Sequence, residues 1–385
     1  MQSDVITMAH GSGGAESAAL MRDVFSKHFN NETLARLEDS AVISLEPSGI
    51  GTSCVSGGVG ASCVSDSLEP GGGPFCALAV STDSFVVTPL FFPGGDIGKL
   101  AVYGTVNDVL MSGAEPRWLT CAFIIEAGLK LSLLDTVCAS MAEAAAEAGV
   151  TIIAGDTKVV EGRSEDGGLM INTTGIGMIA ASGGAGLTAG NPDAGHFEQA
   201  PVALPRPSGI RPGDAVILSG KLGDHHAAIL SARLGIKNGI KSDCALLAPV
   251  ILALRKTGAQ IHAMRDVTRG GLGVVLNELA AASDVSIELK EEHIPVAPEV
   301  QAFCGIMGLD PLYMGNEGKL VLAVPPEEAE RALAALQATG IGRYAAIVGK
   351  AAGSGDGPPT VSMRTRIGGA VRIDLLYGEG LPRIC

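Results

Sequence analysis

Leu131-Ser-Leu-Leu-Asp-Thr-Val-Cys-Ala-Ser-Met-Ala-Glu-Ala-Ala-Ala-Glu-Ala-Gly149, followed at once by Val150-Thr-Ile-Ile-Ala154-Gly-Asp-Thr-Lys158, decides the fold class. Alanines and leucines fill the first part, and Glu143 and Glu147 stand four residues apart. Ser132 is placed to cap a helix and Gly149 to close it, so the spacing predicts a helix over 131–149. The β-branched run after it predicts a strand that ends at Asp156. Phe75-Cys-Ala-Leu-Ala-Val80, Leu119-Thr-Cys-Ala-Phe-Ile-Ile125 and Asn172-Thr-Thr-Gly-Ile-Gly-Met-Ile179 repeat the strand pattern. The expectation is a mixed α/β (α+β) chain. A second unit opens at Gly209-Ile-Arg-Pro-Gly-Asp-Ala-Val-Ile-Leu-Ser219, with helices expected near 245–257, 271–282 and 326–339. Residues 182–208, rich in Gly, Ala and Pro, read as a linker or insertion, and 46–74 as a low-complexity insertion between strands.

Composition narrows the chemistry. The 385 residues carry a formal charge of -14 with few basic runs, which disfavours nucleic acid or an anionic membrane as the main partner. A small anionic ligand would need a local cation such as Mg²⁺. No apolar stretch approaches a membrane span and the first residues lack a signal-peptide pattern, so the expected location is the cytoplasm. Eight cysteines without ligand spacing suit reduced thiols. The last of them, Cys385, stands at the end of Gly378-Glu-Gly-Leu-Pro-Arg-Ile-Cys385, a segment with little to bury. Extended, it reaches roughly 26 Å at about 3.3 Å per residue, which suits a carrier arm as well as a frayed end.

His10-Gly11-Ser12-Gly13-Gly14 precedes a helical pattern near Glu16. Glycine amides at a helix N-terminus suit phosphate oxygens, although the same pattern serves an ordinary loop, and no Walker lysine follows. Four acids recur at what read as element ends: Asp39, Asp83, Asp108 and Asp156. Acids at neighbouring strand ends suit a metal-nucleotide, and acids in turns suit their own backbone equally well. Lys99 and Lys158 stand near them. In the second unit, Arg265-Asp-Val-Thr-Arg-Gly-Gly271 and Met314-Gly-Asn-Glu-Gly-Lys319 place charged groups at a helix entry and in a turn.

Taken together, Ala9–Gly14, Ser81-Thr-Asp-Ser-Phe85, Pro89-Leu-Phe-Phe-Pro-Gly-Gly-Asp-Ile-Gly-Lys99, Asn107-Asp108, Gly155-Asp-Thr-Lys-Val-Val160, Arg265–Gly271, Asn316-Glu-Gly-Lys319 and Pro382-Arg-Ile-Cys385 resemble the HypE family of hydrogenase maturation proteins. That family lies in the aminoimidazole-ribonucleotide-synthetase-like (PurM-like) superfamily. The resemblance implies an N-terminal segment, 1–38, with the glycine loop, followed by two PurM-like domains: an ATP-binding and dimerisation domain built on a mixed sheet, 39–181, and a C-terminal α/β domain, 209–377. A mobile tail, 378–385, follows.

It implies ATP-dependent dehydration of a carbamoyl group on Cys385 to a thiocyanate, the source of cyanide for nickel-iron hydrogenases. ATP and Mg²⁺ are then required. Asp39, Asp83, Asp108 and Asp156 would hold the metal, and Gly11, Ser12, Gly13, Gly14, Lys99, Asn107 and Thr157 the nucleotide. Lys158, His10 and Glu317 are the candidate bases. Implied partners are a second copy in a homodimer, the carbamoyltransferase HypF and the iron-carrying HypC–HypD complex. A small-molecule kinase of the same superfamily would not need the terminal thiol, and a non-catalytic scaffold would not need the acids.

Overall fold

The computed structural model describes residues 6–11, 14–29, 31, 33–36, 38–44, 75–162, 167–180, 204–355 and 357–376. The insertion at 46–74, Ser12, Gly13, most of 182–208 and the tail with Cys385 lie outside them.

The first unit opens with two short helices, α1 (Ala15–Leu20) and α2 (Ser26–Phe29). Its strands are β1 (Ala41–Ser44), β2 (Phe75–Phe85), a small hairpin of β3 (Phe91–Phe92) and β4 (Gly95–Asp96), β5 (Glu115–Glu126), β6 (Thr151–Val160) and β7 (Leu169–Ala180). The main sheet runs β1-β2-β7-β5-β6, antiparallel except for the parallel β5–β6 pair. One face is covered by α3 (Ile97–Met111) and α4 (Leu131–Ala148). Helix α3 is apolar on nearly every side and correspondingly buried, as a helix sandwiched between layers must be. It lies close to the sheet because β7 offers glycine there: a Cβ at Gly177 would stand 2.4 Å from Val109 Cγ1. A buried bond between Thr105 and Thr173 hydroxyls, 2.6 Å, ties helix to strand.

The mixed α/β fold agrees with the expectation, and the strand expected to end at Asp156 runs on to Val160; α4 needs a correction at its start. Gly149 closes the helix in the left-handed region, φ 70°, but Ser132 does not cap it. The N-cap is Lys130, whose carbonyl already accepts from Leu133 and Leu134, so Ser132 lies inside the first turn. The firmest cap belongs to α3. Asp96 Oδ1 accepts from the Gly98 and Lys99 amides at 2.8 and 3.0 Å, and Ser140 Oγ of α4 reaches the same carboxylate at 2.7 Å. Asp96→Ala is therefore expected to cost about 2 kcal/mol, measured as a lower urea midpoint at unchanged slope.

The second unit holds β8 (Ala215–Leu218), β9 (Ala263–Asp266), β10 (Val285–Lys290), β11 (Leu320–Val324), β12 (Ala346–Gly353), β13 (Val361–Arg364) and β14 (Ala370–Arg372), in the order β14-β13-β10-β12-β8-β11-β9. Its helices are α5 (Asp224–Arg233), α6 (Ala248–Thr257), α7 (Gly271–Ser283), α8 (Pro298–Met307) and α9 (Ala329–Gln337). Strands β8 and β11 are buried at every position, and their alternate residues feed two cores. Ile217, Leu320 and Leu322 join Leu254 and Leu336, whereas Val216, Leu218 and Val321 join Leu272, Leu276 and Leu279. The helix expected from 245 begins at 248, because residues 245–247 are held by Asn107 of α3: its amide nitrogen donates to Ala245 O and its oxygen accepts from Leu247 N. The 326–339 helix starts as a 3-10 turn and is α-helical over 329–337. Among the described residues, no helix is long and apolar enough to cross a membrane.

Candidate active site

The acids converge where the two units meet. Asp39 precedes β1, Asp83 lies within β2, Asp108 occupies the last turn of α3, and Asp266 ends β9. Asp108 does stand near an element end, that of a helix, whereas the expectation of acids at element ends is corrected for Asp83 and Asp156, which lie within strands. Asp39 Oδ1 accepts from Arg265 Nε at 2.8 Å, and the same guanidinium reaches Glu278 at 2.8 Å. Asp108 accepts from Ser81 Oγ at 2.8 Å, and its carboxyl also hydrogen-bonds that of Asp266. Arg269 stands 3.9 Å from Asp83.

These carboxyls are short of positive charge. Burial, then the neighbouring Asp266, Asp39 and Asp83, push Asp108 well above the usual carboxylate range. Burial and Asp39 push Asp266 up to about 8. Asp39 and Asp83 are raised by burial as well, against the pull of Arg265 and Arg269 respectively. Crowded buried acids invite a cation. Among the described residues, no three His, Cys, Asp or Glu side chains stand close enough to cage a metal by themselves. Mg²⁺ does not ask for that, since it commonly keeps waters and takes one or two carboxylates plus phosphates. The cluster fits Mg²⁺ arriving with a nucleotide.

Asp156 stands apart. Its strand β6 is the sheet edge, exposed at all ten positions, and its neighbours are Lys158 at 3.4 Å and the Thr157 amide. The amide first and then Lys158 hold its carboxyl below the usual range. Asp83 lies three strands away in nearly the same row, roughly 14 Å at about 4.8 Å per strand. Within one chain, therefore, Asp156, Thr157 and Lys158 do not join the cluster. Asn107 lies beside it, but its amide is engaged with the backbone at 245–247.

Glu317 is the most buried of the candidate bases. Its turn is locked by Asp243, whose carboxylate accepts from the Glu317 amide at 3.2 Å and from Lys319 Nζ at 2.8 Å. Its own carboxyl is 13% exposed. Burial, then Asp243, Asp266 and Asp83, raise it well above the carboxylate range, with Arg269 opposing. His10, by contrast, lies in a 3-10 turn with Nδ1 bound to Thr7, 2.9 Å from its hydroxyl and 3.1 Å from its amide.

The start of α1 and the last described residues of the chain meet. Ala15, first residue of α1, donates its amide to Leu376 O at 3.0 Å. Asp374 O accepts from Tyr313 Oη at 2.7 Å, four residues before Glu317, and Ile373 O from Asn277. Residues 373–376, the last described before Cys385, are thus tied both to the start of α1 and to Tyr313, which precedes the Glu317 turn. Sequence reasoning does not reach Asp266 or Asp243: Asp266 stands inside Arg265–Gly271 between an arginine and a valine, with no local pattern to mark it as a member of the acid cluster.

Residues 67–179 match the family described as AIR synthase related protein, N-terminal domain, and residues 211–361 its C-terminal domain. A carbamoyl dehydratase HypE of Rhodobacter capsulatus is 42% identical over 390 residues, covering 100% of this chain and 99% of the relative. Among solved structures, a HypE–HypF complex aligns with TM-score 0.74 and 39% identity, over 93% of this chain and 100% of that one. A hydrogenase maturation protein HypE in complex with ATP aligns with TM-score 0.71 and 41% identity, over 99% and 100%.

Proposed function

Because this chain belongs to the HypE carbamoyl dehydratases of the AIR synthase related family, we propose that it binds ATP and uses it to dehydrate a carbamoyl group carried on Cys385. The product is a thiocyanate, the source of the cyanide ligands of nickel-iron hydrogenases. HypF supplies the carbamoyl group, in keeping with the solved HypE–HypF complex. The observation that carries the reading of this site is the buried acid cluster of Asp39, Asp83, Asp108 and Asp266, with the Glu317 carboxyl close enough to be raised by Asp266 and Asp83.

The reaction balances as follows. The carbonyl oxygen of S-carbamoyl Cys385 attacks the γ-phosphorus of ATP, ADP leaves, and the nitrogen gives up one proton. The C–O bond then breaks, phosphate departs, and the second N–H proton is lost to leave S–C≡N. Oxygen is thereby converted from a poor leaving group to a good one. Asp83, Asp108 and Asp39, with Asp266 beside them, would hold Mg²⁺, which when bound offsets the charge of the transferring phosphoryl group. Gly11, Ser12, Gly13, Gly14 and Lys99 would bind phosphates. Glu317 is the proton acceptor, since it is a buried carboxyl of raised pKa within electrostatic reach of Asp266 and Asp83.

A homodimer through the first unit is supported by the bare edge of β6, where Ile153 and Val159 are 54% and 68% exposed. It would place a second copy's Asp156 and Lys158 at the boundary between protomers. The iron-carrying HypC–HypD complex is the proposed acceptor of cyanide, in the cytoplasm.

The test is incubation with Mg-ATP, carbamoyl phosphate and HypF, followed by mass spectrometry of the peptide containing Cys385. A cyanated peptide is expected, lighter by one water than the carbamoylated one. Carbamoyl that persists with ATP turning over would refute the reading. Asp108→Ala is expected to weaken Mg-ATP binding at least tenfold by calorimetry, and unchanged affinity would remove the metal assignment.

A further inference from the structure

His225 presents a buried nitrogen that nothing in the mechanism above uses. It is the second residue of α5 and its ring is fully buried. Nδ1 lies 2.8 Å from Ser242 Oγ. The Phe92 ring meets it edge-on, with centroids 5.5 Å apart and planes at 87°. Nε2 has no hydrogen-bond partner and points toward Glu317, whose Oε1 stands 3.9 Å away. A buried ring nitrogen left unsatisfied costs about 1–3 kcal/mol, so its persistence calls for a reason.

The surroundings fix this arrangement. Gly223 N donates to Asn316 Oδ1 at 2.8 Å, and His226 N donates to Gly315 O at 3.2 Å. Two hydrogen bonds thus bolt the start of α5 to the turn that carries Glu317. Ser242 is itself held, its amide donating to Pro93 O at 2.7 Å and its hydroxyl oxygen accepting from Cys244 N at 3.0 Å. These bonds hold the imidazole in place, and its 3.9 Å separation from Glu317 Oε1 is within about 1 Å of hydrogen-bond distance.

We propose that His225, backed by Ser242, is a positioning residue that holds the Glu317 carboxyl group in both of its protonation states. The inference rests on the reading of Glu317 as the proton acceptor. With Glu317 ionised, Nε2–H donates to the carboxylate and Nδ1 accepts from the Ser242 hydroxyl. With Glu317 protonated, its O–H donates to a bare Nε2, while Nδ1–H donates to Ser242 Oγ. The two arrangements differ by the one proton taken from the substrate and by the imidazole tautomer. The ring stays neutral in both, as burial requires: it is pushed down to about 4, with Asp243 opposing. The hydroxyl is suited to this task because it can donate or accept. Dehydration removes two protons from one nitrogen, so the carboxyl must be presented correctly before and after each transfer.

The test uses the full chain, carbamoylated by HypF and then mixed with Mg-ATP, with single-turnover dehydration followed by intact mass. In His225→Asn the amide still reaches Ser242 but falls short of Glu317, whereas in His225→Gln a polar atom takes the place of Nε2. The rate is expected to fall about 30-fold in the Asn variant and less than about fivefold in the Gln variant, with the KM for ATP unchanged in both. In a Glu317→Gln background, His225→Asn should add less than about twofold.

Equal rates for the Asn and Gln variants, or full multiplication of the Asn and Glu317→Gln defects, would overturn the proposal. Should the Asn variant fail to fold, Ser242→Ala carries the same cycle: a several-fold loss alone and none on top of Glu317→Gln supports the proposal, and multiplicative losses overturn it. Wild-type turnover by Glu317→Gln would remove the base assignment itself, and the holder with it.

Discussion

A Cys385→Ser variant incubated with Mg-ATP, carbamoyl phosphate and HypF is expected to keep its original mass, with carbamoylation and cyanation lost by at least about three orders of magnitude. The acceptor must be a thiolate, and an alcohol at neutral pH supplies almost no anion. No described cysteine is fit to replace it. Cys121 and Cys304 are pushed up to about 11 by burial, Cys244 is pushed well up by burial and then Glu317, and Cys138 is raised by burial and then Asp135. ATP binding should survive, since the acid cluster is untouched. Carbamoyl or cyano label found on any other cysteine of the variant would sink the assignment.

Glu317→Gln should be nearly as damaging at a different step. The amide keeps shape and volume but cannot take a proton, so dehydration is expected to slow by about 10²–10⁴ while carbamoylation proceeds. The protein would accumulate in the carbamoylated form, heavier by one water than the cyanated one. The sign of the pH dependence follows from the raised carboxyl: a base works ionised, so the rate climbs as pH rises through a value well above the ordinary carboxylate range. That climb should be absent from the Gln variant. A variant that dehydrates at the parental rate with the same pH profile would return Glu317 to a structural role.

The legible parts of this fold are those whose cause is local. Leu131–Ala148 was readable as a helix because composition and the Gly149 stop act within a few residues. Ser132 misled because a cap depends on which carbonyl opens the ladder, and Lys130 O does so here. The acids were identifiable as residues but not as a set. Asp156 leaves the group because β7 and β5 intervene between β2 and β6, a strand order that no local pattern encodes. Asp266 enters it because β9 pairs with β11 at the boundary between units. His225 and Asp243 lie far from Glu317 along the chain, and nothing in their neighbours marks them until α5 and the 315–317 turn are seen bolted together.

The bond between Ala15 N and Leu376 O has a kinetic meaning. Cys385 follows Leu376 by nine residues, so its sulfur stays within about 30 Å of that anchor whatever path the chain takes. One thiol confined to such a sphere has a local concentration on the order of 10 mM. The cleft can therefore grip its own substrate weakly and still be filled, and weak grip is what lets the product leave for another protein. A free peptide with the sequence Glu379-Gly-Leu-Pro-Arg-Ile-Cys385, offered to a chain shortened at 378, would have to reach millimolar levels to compete with a tether that works at any dilution.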